Sequence, residues 1–308
     1  MKIKLVDIDN KYREKKRRGK RFPNLALMKI SAYHKAKGDL VGFDIENPDL
    51  TYISCVFTKN RLNAIKECCD VEGGISFGGS GLSFDFNLPY EIELLKPDYD
   101  LYPFQEYSMG FTTRGCPNNC PWCIVHKKEH HFGIAQHIRE FHDFRFKSCK
   151  LLDNNILVNK DWFFENTDWS IAHKVKLNIT QGMDIRLLTD EIADQLKRIK
   201  FVDQQMCFAW DRMKDEAIVK AGIEMLRDHK INIRRNVSFY VLCGFNTTHE
   251  QDLYRVKELK KTGAMAFVMK YHEDSPILNH LARYCDKREL YRSCSFEDYL
   301  STKGGEHR

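Results

Sequence analysis

Nowhere in the 308 residues does an apolar run approach the length of a membrane helix. The opening Met1-Lys2-Ile3-Lys4-Leu5-Val6-Asp7 is strand-like, and its apolar stretch is too short for the core of a secretory signal. The expected setting is therefore cytoplasmic, with the 11 cysteines reduced rather than paired. Two nucleotide signatures are also missing: G-x-G-x-x-G and a P-loop ending in Lys-Ser/Thr. The glycine-rich stretch Gly73 to Gly81 predicts a turn-forming loop, with a phosphate cradle as its functional alternative. No RNA-binding module is appended. The body is not basic either. The net charge is +6, but Lys11 to Arg21 alone holds eight basic residues and one acid, which leaves the remainder near neutral. That excludes a protein wrapped in nucleic acid. The segment predicts a solvated loop, with a phosphate-backbone contact as the alternative.

What is present is more specific. Gly110-Phe111-Thr112-Thr113-Arg114-Gly115-Cys116-Pro117-Asn118-Asn119-Cys120-Pro121-Trp122-Cys123 sets three cysteines at C-x3-C-x2-C. Pro and Asn between them describe a loop, not a packed element. Three thiolates are one short of the four that close an iron–sulfur cluster, so a cluster held here keeps one iron open. A zinc site needs a fourth protein ligand and more often pairs cysteines twice over. His126, His130 and His131 follow closely and keep zinc as an alternative, though they fit surface or supporting positions better. The other eight cysteines behave as small core or surface residues.

The trio, with Trp122 just before its last cysteine, resembles the radical S-adenosylmethionine superfamily and its C-x3-C-x-aromatic-C signature. The resemblance implies that Cys116, Cys120 and Cys123 hold a 4Fe-4S cluster. It also implies that S-adenosylmethionine chelates the open iron through its amine and carboxylate, and that reductive cleavage gives a 5′-deoxyadenosyl radical. An external electron donor such as flavodoxin or ferredoxin is implied as a partner, with a small-molecule substrate, and with neither nucleic acid nor membrane.

The rest of the sequence gives an α/β pattern. Ile3 to Ile8 and Leu50 to Phe57 predict strands; Phe22 to Gly38 and Arg61 to Cys69 predict helices. Ile134 to Phe141 predicts a helix. Strands are expected near Phe111 and at Cys149 to Leu152, Val175 to Ile179, Met206 to Ala209, Val237 to Leu242 and Ala264 to Met269. Helices are expected at Thr189 to Ile199, at Asp215 to Asp228, and from a capping box at Thr248 to Lys261. Strand–helix repeats imply parallel sheets with right-handed crossovers. The resemblance makes of this a partial (βα)6 TIM-like barrel over residues 99–285. Before it stands a small Rossmann-like, cobalamin-binding-like α/β domain at 1–98. A D-x-H-x-x-G sequence that would bring a histidine to cobalt is absent, so that domain is expected to bind no corrin and to help roof the site. Residues 286–308 show no pattern and are expected to pack on the core.

Working residues in β/α barrels sit at the C-terminal ends of strands. Asp153-Asn154-Asn155 ends one strand; it either meets the methionine ammonium or forms an Asx-turn. Asn178, Gln181, Asp184 and Arg186 crowd the next strand end, with amides and a carboxylate for hydroxyls and an arginine for an anion. Asp211 and Trp210 follow a third, offering a carboxylate and a stacking plane, although Trp210 also fits ordinary core. The resemblance assigns adenine contacts to the backbone of Trp122 and of Gly244-Phe245. Lys270 and Tyr271 end the last strand as a polar wall for substrate, and Arg114 precedes the trio as a further substrate contact. Asp184, Asp211 and Tyr271 are the catalytic candidates.

The overall pattern looks like the queuine lyases, which split the carbon–nitrogen bond of queuine's substituent arm and leave 7-aminomethyl-7-deazaguanine. Two rivals stay open: a radical tRNA-modifying methylthiotransferase or methyltransferase, and a zinc-bearing nucleic-acid-binding protein. No second C-x3-C-x2-C trio exists to serve the former.

Overall fold

The computed structural model describes residues 1–13, 21–69, 71, 73–129, 131–272 and 274–304. Most of the basic segment and His130 lie outside the described residues. The protein is mixed α/β, and its larger sheets are parallel throughout.

The first sheet takes β1 (Lys2–Asp7), β2 (Leu40–Gly42), β3 (Leu50–Ser54) and β4 (Gly74–Gly78), in the order β2-β1-β3-β4. Strand order reverses between β1 and β3, which is where doubly wound sheets open a crevice at their carboxyl ends. The helix Leu25–Ala36 packs on this sheet; Asn24 caps it by accepting the Leu27 N–H, and Gly38 follows it at φ +80°. Strand β4 runs through the stretch expected as a glycine loop. Ile75 and Phe77 alternate with small residues there, and β3 supplies the ladder that the sequence did not reveal.

The second half begins with β5 (Ser108–Gly110), followed by an antiparallel ribbon of β6 (Thr113–Arg114) with β7 (Gly133–Ile134). The helix expected over Ile134 to Phe141 is therefore only Ile138–Phe141, because ribbon pairing takes its first residues. Then come β8 (Ser148–Leu151), β9 (Lys176–Ile179), β10 (Met206–Ala209), β11 (Val237–Cys243) and β12 (Met265–Lys270). They form two sheets, β5-β8-β9 and β10-β11-β12, joined by the parallel bridges Leu177–Phe201 and Met183–Phe208. Helices Lys160–Ala172, Asp190–Arg198, Glu216–Asp228, His249–Thr262 and Pro276–Asp286 alternate with these strands. Thr189 caps one of them, and Thr248 with Gln251 makes the capping box of another, which Gly263 ends in the left-handed conformation.

The core follows from the strands. Leu151, Leu177, Phe208, Phe239 and Val241 are essentially sealed, each contributing about 1.5–3 kcal/mol by burial. The unpatterned tail is helical: Arg288–Ser293 and Phe296–Gly304 bring Tyr291, Phe296 and Tyr299 into the main core. A second cluster joins Ile3, Leu5, Leu27 and Met28 to Tyr99, Leu101, Tyr102 and Met109, so apolar packing crosses residue 98. Among the described residues no helix is long and apolar enough to cross a membrane.

Candidate functional site

The three thiols of the trio stand together. Cys116, Cys120 and Cys123 are half-buried and line one cavity of about 220 Å³ beside the ends of β8, β9 and β10. Burial first, then its two neighbour thiols, push the Cys120 thiol upward. The loop is fixed at its base. Gly115 sits at φ +72°, and a Cβ there would run into the His131 carbonyl. The Cys123 N–H donates to the Cys120 carbonyl at 3.0 Å, closing a turn within the trio.

Asp153 is fully buried and does not line the cavity. Its carboxylate accepts the N–H groups of Thr112 (3.1 Å) and Thr113 (2.6 Å) and both their hydroxyls (2.5 and 2.8 Å). All this capacity goes to anchoring the strand that enters the thiol loop. Its neighbours face the thiols instead. Asn154 and Asn155 line the cavity, and Asn155 Nδ2 lies 3.9 Å from Cys116 Sγ and 3.4 Å from Asp184 Oδ2. Asn155 Oδ1 is buried without a hydrogen-bond partner among the described residues. A buried acceptor left unpaired is costly, so this oxygen marks a place for a donor.

Gln181, Asp184 and Arg186 also line this cavity; Asn178 does not. Arg186 forks onto Asp184 at 2.7 and 2.6 Å, and Asn118 Nδ2 adds a bond at 3.1 Å. Burial works to raise the Asp184 pKa, but the Arg186 fork prevails and holds it below the ordinary carboxylate value. Asp211 goes the other way. Burial raises its pKa, and the Leu242 N–H at 3.2 Å and the Arg255 charge only partly offset that.

Asp211, Arg186 and Arg212 also line a larger adjoining cavity of about 510 Å³. Trp122 and Phe245 wall it, edge to face at 5.2 Å, and Asn118, Asn119, Asn246 and Gln251 add amides. Tyr271 meets Phe245 at 4.7 Å but lines neither cavity, and Lys270 reaches Asn279 at 2.5 Å. Gly244 lies at φ +84°, and its N–H donates to Asp252 Oδ2 at 2.9 Å.

Two expected contacts are turned to other work. Trp210 is 1% exposed, with Nε1 on the Arg212 carbonyl at 3.0 Å; it is core and offers no stacking face. Arg114 lies over the Phe111 ring and pairs with Glu93 and Glu129, outside both cavities. Three features went unassigned in the sequence: Asn118, the separate part of Asn155, and the Arg212–Asp215 pair, which bonds at 2.7 and 2.9 Å. Their position inside or beside the motifs was the available signal. A buried pair stands behind the larger cavity. Arg255 bonds Asp252 (2.6 Å) and the carbonyls of Trp210 (2.8 Å) and Leu242 (2.6 Å), pinning the ends of β10 and β11.

Among the described residues no group of three or more His, Cys, Asp or Glu residues comes together as a single-ion site. Thiols arrayed around a cavity suit a cluster, whose sulfur ligands spread over several irons. His126 is half-buried and His131 exposed, and neither lines the thiol cavity. Just past β1, Asp9 accepts the Val56 N–H (2.6 Å), the Phe57 N–H (3.4 Å) and Asn60 Nδ2 (2.7 Å). The glycine stretch is closed: Gly79 and Gly81 press against the backbone of Cys55 and Phe57, and the Gly81 N–H is spent on the Cys55 carbonyl at 2.9 Å.

No protein-family model matches the sequence, and no curated protein matches it. Among solved structures the fold is similar to that of TsrM from Kitasatospora setae, a radical S-adenosylmethionine methyltransferase determined with cobalamin and a 4Fe-4S cluster bound. The likeness covers 87% of this protein and 72% of TsrM, with a TM-score of 0.64 and 10% identity. At that identity it is a likeness of fold.

Proposed function

We propose that this protein is a radical S-adenosylmethionine enzyme acting on a small molecule, built as a partial (βα)6 barrel behind a small Rossmann-like domain. One observation carries the proposal: the three thiols of a C-x3-C-x2-C loop line a single cavity together with a buried, unpaired Asn155 oxygen. The likeness to a radical enzyme fold supports it. Cys116, Cys120 and Cys123 would hold a 4Fe-4S cluster, with Asn155, Gln181 and Arg186 beside the amine and carboxylate of S-adenosylmethionine. Bound together, these groups supply a 5′-deoxyadenosyl radical for hydrogen-atom abstraction. The protein's own part is to orient and to exclude water. Asp184 stays ionised and fixes Arg186. Asp211, whose pKa burial raises, stands between the two cavities with Oδ1 held by the Leu242 N–H. Trp122 and Phe245 give the larger cavity an aromatic wall.

For the substrate we infer queuine, cleaved at the carbon–nitrogen bond of its substituent arm to release 7-aminomethyl-7-deazaguanine. A flat base with N–H edges and ring hydroxyls suits a carboxyl, several amides and an aromatic wall. Reduced, cluster-replete enzyme should form 5′-deoxyadenosine faster with queuine present, and mass spectrometry should find the aminomethyl base. Queuine that neither binds in calorimetry nor is consumed would end the lyase reading. The methyltransferase reading draws on the likeness to TsrM, while the sequence lacks the D-x-H-x-x-G that would bring a histidine to a corrin's cobalt.

A further inference from the structure

Glu129 lines neither cavity and takes no part in the proposed chemistry. Its carboxylate nevertheless collects three donors from two separate segments. Arg114 Nη1 reaches it at 3.0 Å, the Gly115 N–H at 2.5 Å and Asn154 Nδ2 at 2.9 Å. The first two stand at the entrance of the thiol loop. Asn154 belongs to the turn after β8 and lines the thiol cavity. Glu129 itself sits just past Cys123, at the loop's exit. One carboxylate therefore joins both ends of the loop to the facing wall. The bond from the Gly115 N–H matters most, because it holds the loop's backbone at the one point that passes too close to the His131 carbonyl for any side chain.

The line continues away from the site. Arg114 Nη2 reaches Glu93 at 2.6 Å. Lys29 donates to the Glu93 backbone carbonyl, and its Nζ lies 3.5 Å from the Glu93 carboxylate. Lys29 is 2% exposed and sits on the helix that covers the first sheet. It also reaches Gln136 Oε1 at 3.3 Å, and Gln136 Nε2 donates to the Leu94 carbonyl at 2.6 Å. Charges of alternating sign thus run from the first domain to the thiol loop. Exposed pairs contribute little, but a charge-assisted bond to a half-buried backbone N–H is of the stronger kind.

We propose that Glu129 is the positioning residue of the thiol loop, and that the Lys29–Glu93–Arg114–Glu129 line makes the N-terminal domain part of that positioning. Its purpose rests on the cluster reading above; its geometry does not. The test uses Glu129→Gln, which keeps the shape but loses the charge and turns an amide N–H toward existing donors. Glu93→Gln lies one step out, and exposed Glu91→Gln is the control. In cluster-free, anaerobic full-length protein, iodoacetamide alkylation of Cys116, Cys120 and Cys123 is followed by peptide mass spectrometry, with exposed Cys69 as internal reference. Glu129→Gln should speed alkylation of the trio about tenfold, the effect of one lost charge-assisted hydrogen bond on a local opening. Glu93→Gln should give a smaller rise, Glu91→Gln none, and Glu129→Asp a partial return. In cluster-loaded protein, the shift of the reduced-cluster electron paramagnetic resonance signal on adding S-adenosylmethionine should broaden for Glu129→Gln at an unchanged melting temperature. Wild-type alkylation rates in Glu129→Gln would overturn the inference. If wild-type protein takes up no cluster, the proposed function fails, and the alkylation arm still decides this one. If Glu129→Gln does not fold, Arg114→Lys, which keeps the charge and loses the fork, should show the same rise; its absence overturns the inference equally.

Discussion

Two sets of parallel strand ends in this molecule differ in what fills them. At the ends of β1 and β3, Asp9 ties itself to the segment after β3, and glycines seal β4 against Cys55. At the ends of β8 to β11, two cavities stay open, walled by thiols, amides, two arginines and three carboxyls, of which Asp184 and Asp211 have opposite tendencies. Strand order alone marks both places as binding sites. The difference lies in where the polar groups spend their hydrogen bonds. In the first sheet Asp9 takes its donors from the neighbouring backbone; in the second, Asn155 keeps an acceptor unspent.

The largest expected contrast comes from the thiols. Ala at Cys116, Cys120 or Cys123 should abolish both the iron–sulfur absorption and 5′-deoxyadenosine formation, while Cys69→Ala leaves both. Full cluster content in anaerobically reconstituted Cys120→Ala would remove the distinction between the two crevices. Next comes the buried pair behind the open cavities. Asp252→Asn leaves Arg255 uncompensated where neither is exposed to water, and it should cost about 3–5 kcal/mol in urea unfolding. A loss below about 1 kcal/mol would mean that Arg255 does not pin β10 to β11.

Carboxyl titration should then separate the regions by sign. Asp184 has a folded pKa below its ordinary 3.8, so its stabilisation is present above that value and fades as pH falls through the folded pKa. Asp184→Asn should therefore cost about 1.5–3 kcal/mol at neutral pH and progressively less in acid. At the closed crevice, burial raises the Asp7 pKa, and the Tyr102 and Asn10 bonds to it do not cancel the rise. Its contribution is present below 3.8 and declines as pH climbs through the raised folded value. Asp7→Asn should flatten that decline. Parallel pH profiles for the two variants would show that their environments do not differ. The smallest effect is expected at Asp9. Wild-type protein should leave the absorption spectrum of added hydroxocobalamin unchanged, and Asp9→Ala should lower stability by about 1 kcal/mol. A base-off or histidine-ligated spectrum with wild-type protein would reopen the first crevice.

Much of this was legible in the residues. The thiol loop was visible because its chemistry and its spacing coincide, and Thr248 to Lys261 because a capping box heads a long period. Helix Lys160–Ala172 was not visible: its buried face includes Asn166, Thr167 and Ser170, which blur the apolar stripe. For Trp210 and Asp153 the sequence leaves a functional and a structural reading open, for a shared reason. Both stand at strand ends, but whether a residue there turns to the cavity or to the backbone depends on how the surrounding segments pack. Asp153 finds Thr112 and Thr113, some forty residues earlier; the Trp210 indole finds the Arg212 carbonyl within a sealed core. Glu129 carried no signal at all, since nothing in its neighbourhood reveals that Asn154 will reach it.

The small ribbon of β6 and β7 has a consequence in time. Every other sheet pairing described joins parallel strands, which must wait for a crossover and for contacts far apart in the sequence. The ribbon joins Thr113 to Ile134 and closes the shortest span among these pairings, at the lowest entropic cost. Loop-closure cost alone therefore favours early gathering of the segment that bears the three thiols, by a small margin over the pairing of β3 with β4. Cys116, Cys120 and Cys123 are thereby gathered within one span of chain by a pairing that draws on none of the larger sheets.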